Sequence, residues 1–300
     1  MSAAVLRYSA FTTDPRGGNP AGVVLDARAL DATDMQRIAR EVGYSESAFL
    51  SPRPDGSFDV RYFSPRAEVS FCGHATIAAM VAHAQRHGPG ERLLQTQVGS
   101  VRVTVDEALM ATLTSVEPRV VALGEGKLTA LLAALDWRRD ELDPALPPAV
   151  AYAGAWHPIV AVRTRARLAQ LDYAFDALGA LMARHDWLTV NLVWRENATT
   201  FHARNPFPPG GVVEDPATGA AAAALGAYLH AQQALPETRR FVVHQGIELG
   251  RPSLLTVHAP DDVRDGIRVS GTAVRIDAGT ATESGRSAPQ LAAFRRSRPA

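Results

Sequence analysis

The run Thr218-Gly219-Ala220-Ala221-Ala222-Ala223-Ala224-Leu225-Gly226-Ala227-Tyr228-Leu229 constrains this chain more than any other stretch. It reads as a helix without a polar face, and a helix that is apolar all round has to be buried on every side. Its side chains are nearly all small, so neighbouring elements can approach closely. The segment before it, Glu214-Asp215-Pro216-Ala217, is an acidic turn. Asp215 followed by Pro216 suits a helix start, because an aspartate accepts the first free N–H groups and proline is pre-set for the first turn. Thr218-Gly219 then brings bare backbone N–H groups close to whatever lies in front. A helix N-terminus offers donors and a partial positive charge, a seat for a carboxylate or phosphate. A buried helix whose first turn faces a pocket reads as a ligand site.

An echo lies earlier in the chain. Phe71-Cys72-Gly73-His74-Ala75-Thr76 opens a second small-residue helix, Ile77 to Ala82. Matching Ala75-Thr76 to Ala217-Thr218 gives an offset of 142 residues, close to half of the 300, and suggests two similar halves. That length is ample for a core. The 31 basic and 31 acidic residues give no net charge and no basic stripe, which argues against nucleic acid as a partner. No apolar run reaches the roughly 18 residues of a membrane span, and the N-terminus does not read as a signal peptide. A single cysteine excludes an internal disulfide and a thiolate cluster. Together these features lead us to expect a cytoplasmic protein that uses neither membrane nor nucleic acid.

Along the chain, Leu6 to Phe11 alternates as a strand, and Val23 to Leu25 returns as a second after the turn Gly17 to Gly22. Thr33-Asp34-Met35-Gln36 reads as a capping box that opens a helix closed by Gly43. Ser45 to Leu50 and Ser57 to Ser64 read as strands, and the first small-residue helix runs from about His74 to His87. Leu93 to Val98 and Val101 to Val105 form a hairpin with Gly99-Ser100 as its turn. Helical spacing recurs near Leu128 to Leu135 and Phe175 to Arg184, and strand-like runs occupy much of the remainder. The segment Asn205 to Gly211 reads as a loop, and the arginine-rich tail from Ser284 as a frayed end. Many short strands with a few alanine-rich helices indicate an α+β fold.

Five collinear motifs then identify a resemblance. They are Gly18-Asn19-Pro20-Ala21-Gly22-Val23; Ser45-Glu46-Ser47-Ala48-Phe49; Arg61 to Pro65 with Glu68 to Thr76; Glu214 to Gly219; and Gln245 to Ser253. In this order the chain resembles the PhzF-like family, within the diaminopimelate epimerase-like fold. The resemblance implies two pseudo-symmetric halves, each a curled, mostly antiparallel, barrel-like sheet around a central helix, with the active site in the cleft between. Residues 1–117 with 273–290 would form the first half, around the helix 74–87. Residues 118–272 would form the second, around the helix 217–232. The last strand, from Ala273 to Ala278, would cross back to the first half, and members of this family are commonly homodimers.

The resemblance also implies a chemistry: cofactor-free isomerisation of a small carboxylic or amino acid by proton transfer. Glu46 would be the base, with Tyr44, Ala48 and Phe49 as an apolar pocket that keeps it toward neutral pH. His74 and Asp215 would complete the catalytic group by holding the substrate's polar atoms. Gly73, Thr218, Gly219 and Ala220 would supply the carboxylate seat, with Asn19 and Cys72 beside it. In PhzF itself the matching glutamate shuttles a proton across a cyclohexadiene amino acid.

Each residue also has a plainer interpretation. A glutamate ahead of an apolar strand is ordinarily a solvated edge residue, Asp215 would serve as a cap, Asn19 as a turn residue, and Gln245 to Ser253 as a loop. The remaining histidines show no metal-ligand spacing along the chain, so neither metal nor cofactor is expected. Two departures from the family stand out. Racemases of this fold use two cysteines; Cys72 occupies the first place, while the second falls within Asp215-Pro216-Ala217. Ala220 stands where many relatives carry serine. A lyase, an epimerase using the same base, and an inactive carboxylate-binding protein remain alternatives to the isomerase.

Overall fold

The computed structural model describes residues 4–277. Eight strands precede residue 118: β1 (Leu6–Ala10), β2 (Asn19–Val24), β3 (Glu46–Pro52), β4 (Phe58–Phe63), β5 (Glu68–Val69), β6 (Gly90–Thr96), β7 (Gly99–Val105) and β8 (Ala111–Thr114). Ten follow: β9 (Arg119–Ala122), β10 (Ala149–Tyr152), β11 (Trp156–Ala161), β12 (Asn191–Asn197), β13 (Thr200–Phe207), β14 (Val212–Asp215), β15 (Arg240–Gln245), β16 (Ser253–His258), β17 (Arg268–Gly271) and β18 (Ala273–Arg275). The α-helices are α1 (Ala32–Val42), α2 (Gly73–His87), α3 (Glu125–Leu135), α4 (Arg165–Ala169), α5 (Phe175–His185) and α6 (Gly219–Ala231). The fold is α+β, as the spacing of short strands and alanine-rich helices indicates.

Strand pairing repeats. From β18 through β1, β2, β3, β4, β6 and β7 to β8, the ladders run antiparallel, antiparallel, parallel, antiparallel, parallel, antiparallel, antiparallel. From β9 through β10, β11, β12, β13, β15 and β16 to β17, the same series recurs. An antiparallel β8–β17 ladder joins the two series into one curled sheet. β18 takes in the first series the place that β9 takes in the second. The chain therefore returns to β1 at Ala273–Arg275, while residues 278–290 lie outside the described part.

Each series wraps one helix. α2 packs against β1, β2, β3, β7, β8 and β18, and α6 against β9, β10, β11, β16 and β17. Every residue from His74 to Ala84 is buried, as are Gly219 and Ala221 to Leu229. Small side chains make this possible, since strands on all sides leave no solvent face for a polar residue. One core cluster runs from Tyr8 to Ala273 and includes both helices. A second cluster, under α3 and α5, fills the outer face of β10–β12, and a third lies under α1.

Several local expectations shift by a few residues. α1 is capped two residues earlier than the Thr33 box, because Asp31 accepts the Asp34 N–H at 2.8 Å. Gly43 ends it with a left-handed conformation. The β6–β7 turn falls at Gln97-Val98 rather than Gly99-Ser100, with Thr96 opposite Gly99. β13 continues through Asn205 to Phe207, where a loop was expected, because it pairs with β14. The helix starts are Cys72-Gly73 and Thr218-Gly219, so the internal offset is 146 residues and not 142. No helix among the described residues is long and apolar enough to cross a membrane.

Candidate active site

The two central helices meet end to end. A methyl group built on Gly73 would lie 4.0 Å from Gly219 Cα, so the first turns abut at glycines. The first N–H groups of each helix have no carbonyl one turn behind them. Gly73 and Ala220 are the partly exposed members of these turns. Neither N-cap residue, Cys72 or Thr218, closes its helix with a side-chain bond. Two positive helix ends thus face one place, which suits an anion.

Around this seat stand the side chains that the sequence singled out. Glu46, the first residue of β3, projects to the face that carries α2. Its Oε2 lies 3.5 Å from His74 Nε2 and accepts the Cys72 S–H at 3.7 Å. Of the expected apolar pocket of Tyr44, Ala48 and Phe49, Ala48 lies on the same face as Glu46 and Phe49 does not. Strand alternation turns Phe49 to the opposite face, into the cluster under α1, and the Glu46 carboxylate has a thiol and an imidazole beside it. Burial lowers the His74 pKa against the pull of Glu46, leaving an uncharged imidazole at neutral pH. Burial, and then the Glu46 charge, hold the Cys72 thiol well above its ordinary value. Cys72 is thus a thiol and not a thiolate.

Asp215 is not the helix cap expected from the sequence. It ends β14 four residues before α6 begins, and its carboxylate faces inward. Thr218 Oγ1 donates to its Oδ2 at 2.5 Å, and Asn19 Nδ2 donates to its Oδ1 at 2.7 Å. Burial is the largest influence on Asp215 and pushes its pKa up to about 7; the Glu46 charge acts in the same direction, while the two hydrogen bonds oppose it. Asn19 is likewise no turn residue: it starts β2, is buried, and lies 3.1 Å from both His74 Nδ1 and the Ala217 carbonyl. It therefore links Asp215, on the α6 side, to His74, on the α2 side.

Sequence reasoning missed two supports. Gln245, read as part of a loop, closes β15 and is buried; its Oε1 accepts the Thr218 N–H, and its Nε2 donates to the Asp215 carbonyl and to Thr218 Oγ1. The signal was a polar residue ending an alternating strand just before Gly246. A Cβ at Gly246 would lie 2.7 Å from the Pro216 carbonyl oxygen. Ser45 Oγ lies 3.4 Å from His74 Nε2, beside Glu46.

Comparison with known proteins gives the family. The family described as phenazine biosynthesis-like protein, PhzC-PhzF, matches residues 8–279. The chain belongs to that family. Among curated relatives, an uncharacterized isomerase, YddE, of Escherichia coli K12 is 34% identical, covering 91% of this chain and 96% of its own length. The trans-2,3-dihydro-3-hydroxyanthranilate isomerase of Pseudomonas chlororaphis is 33% identical, covering 90% and 96%. A PhzF-family structure from Bacillus anthracis superposes with a TM-score of 0.82 at 26% identity, covering 92% of this chain and 98% of the other. By this kinship the chain is an isomerase of the PhzF type.

Proposed function

We propose that this protein isomerises a small carboxylic or amino acid without a cofactor, with Glu46 as the proton carrier. The observation that carries the reading is the placement of Glu46 Oε2 beside His74 and Cys72, next to the two abutting helix starts. A substrate carboxylate seated on the N–H groups of Gly73, His74, Gly219 and Ala220 would bring its neighbouring carbon toward that oxygen. Glu46 would take a proton from one carbon and return it to another. Asp215, with a pKa near 7, would hold a polar substituent in either protonation state.

A second feature favours one base over two. Matching the two strand series places Asn191, first in β12, where Glu46 stands first in β3; Asn191 donates to the Ala221 carbonyl instead. The residue in the second helix start that matches Cys72 is Thr218, which revises the placement read from the sequence. With one cysteine in the chain, a two-thiol racemase is excluded. A lyase step by the same base follows if the abstracted site carries a leaving group. A homodimer is part of the same proposal, on family grounds.

Proton NMR of small amino and carboxylic acids in deuterated buffer, including trans-2,3-dihydro-3-hydroxyanthranilate, tests this reading. The native protein should wash deuterium into carbon positions. Glu46→Gln should bind the same compound and slow exchange by at least about a hundredfold, the lower end of what a positioned base supplies. Binding without exchange across the panel would instead identify a carboxylate-binding protein.

A further inference from the structure

The same three side chains that surround the proposed base also have the composition and spacing of a metal site. Cys72 Sγ, His74 Nε2 and Glu46 Oε2 form a triangle with edges of 3.8, 3.7 and 3.5 Å. A tetrahedral zinc ion with ordinary Zn–S, Zn–N and Zn–O bonds separates its ligand atoms by about 3.3–3.6 Å. A contraction of roughly 0.2 Å per edge, within reach of side-chain rotation, would place all three at bonding distance. We propose that Glu46, Cys72 and His74 bind one zinc ion, with the fourth position open to the cleft, and that zinc and proton transfer exclude each other at this site.

The donor set selects the metal class. Thiolate and imidazole suit zinc, whereas magnesium and calcium seek sites made of oxygen alone. On binding, the Zn–S bond replaces the Cys72 S–H bond and the proton leaves to the buffer. With an oxygen of Glu46 on the ion, the group no longer serves as a free base. The residues stand 26 and 2 positions apart in the chain, so sequence spacing gave no sign of the grouping.

The test uses the intact protein and no substrate. Titration with Zn2+ should show one tight ion per chain, and Co2+ should give the intense visible bands of a four-coordinate ion with a thiolate charge-transfer band. Cys72→Ser should remove that band and weaken zinc binding by at least about a hundredfold, since losing an outer partner alone costs roughly 10–100-fold. Glu46→Gln should weaken it too, and serves where Cys72→Ser does not fold. His83→Ala and His202→Ala disrupt two other histidine pairs, with ring centroids 4.6 and 5.1 Å apart, and should leave the affinity unchanged. No tight binding, binding that survives Cys72→Ser, or binding lost in either histidine control would overturn the proposal. The measurement involves no turnover, so its failure leaves the isomerase reading standing, and the converse also holds.

Discussion

At the scale of single residues, the site is built from groups whose charge is set by burial. His74 is neutral, Cys72 keeps its proton, and Asp215 titrates near 7. Asp215 makes this visible in stability. Its folded pKa lies above the ordinary 3.8, so the folded chain holds a proton that the unfolded chain releases between about pH 4 and 7. The stabilisation is therefore complete below pH 4 and disappears as pH rises through 7, with an upper bound of roughly 4 kcal/mol. Denaturant unfolding at pH 5 and pH 8 should show the native protein losing stability over that interval, relative to Asp215→Asn. The slope is the readout, because the amide also disturbs the bonds to Asn19 and Thr218. An identical slope in both proteins would show that Asp215 is ionised throughout.

At the scale of elements, the clearest parts of the sequence were those with one dominant physical cause. The alanine run of α6 and the small-residue run of α2 had to be buried, and the alternation of β4 had to make a half-buried strand. What escaped was set by partners far along the chain. Asp215 with Pro216 looks like a cap, yet pairing with β13 extends β14 through Asp215 and delays the helix to Gly219. Asn19 looks like a turn residue until pairing with Ala10 of β1 places it at a strand start. Phe49 looks like a neighbour of Glu46, but alternation separates them.

The internal repeat was legible only as an Ala-Thr echo. In the structure it carries a matching ion pair ahead of each central helix: Arg61 with Glu68, and Arg204 with Glu214. In the first pair the side chains are 38% and 25% exposed, in the second 8% and 5%. The contrast predicts losses of different size for one chemical change. Glu214→Gln strands a buried guanidinium and should cost about 3–5 kcal/mol. Glu68→Gln breaks a wetter pair and should cost about 1 kcal/mol or less. Equal losses in urea unfolding would mean that burial does not govern these pairs.

At the scale of the molecule, the site depends on how the two strand series are joined. β8–β17 is one seam; the other runs beside the active site. There Leu254 N donates to the Phe11 carbonyl and Gly18 N to the Pro252 carbonyl. Arg251 crosses this seam, donating from Nε to the Gly18 carbonyl at 2.7 Å and from Nη2 to the Gly17 carbonyl at 2.7 Å and Ser9 Oγ at 3.2 Å. Asn19 follows directly, so the same bonds hold the start of β2 and the amide that links His74 to Asp215. Arg251→Met keeps the stem and removes the donors. Hydrogen bonds to a charged group contribute about 1.5–3 kcal/mol each, and these three share one guanidinium, so a loss of about 2–4 kcal/mol is expected. The core that contains both α2 and α6 is continuous, so unfolding should stay a single transition at a lower midpoint. Substrate affinity should fall with it, because the Asn19 end of the seat is loosened. Calorimetry of the native and variant proteins decides the point: a thermogram that splits in the variant would mean that Arg251, and not the shared core, couples the two series.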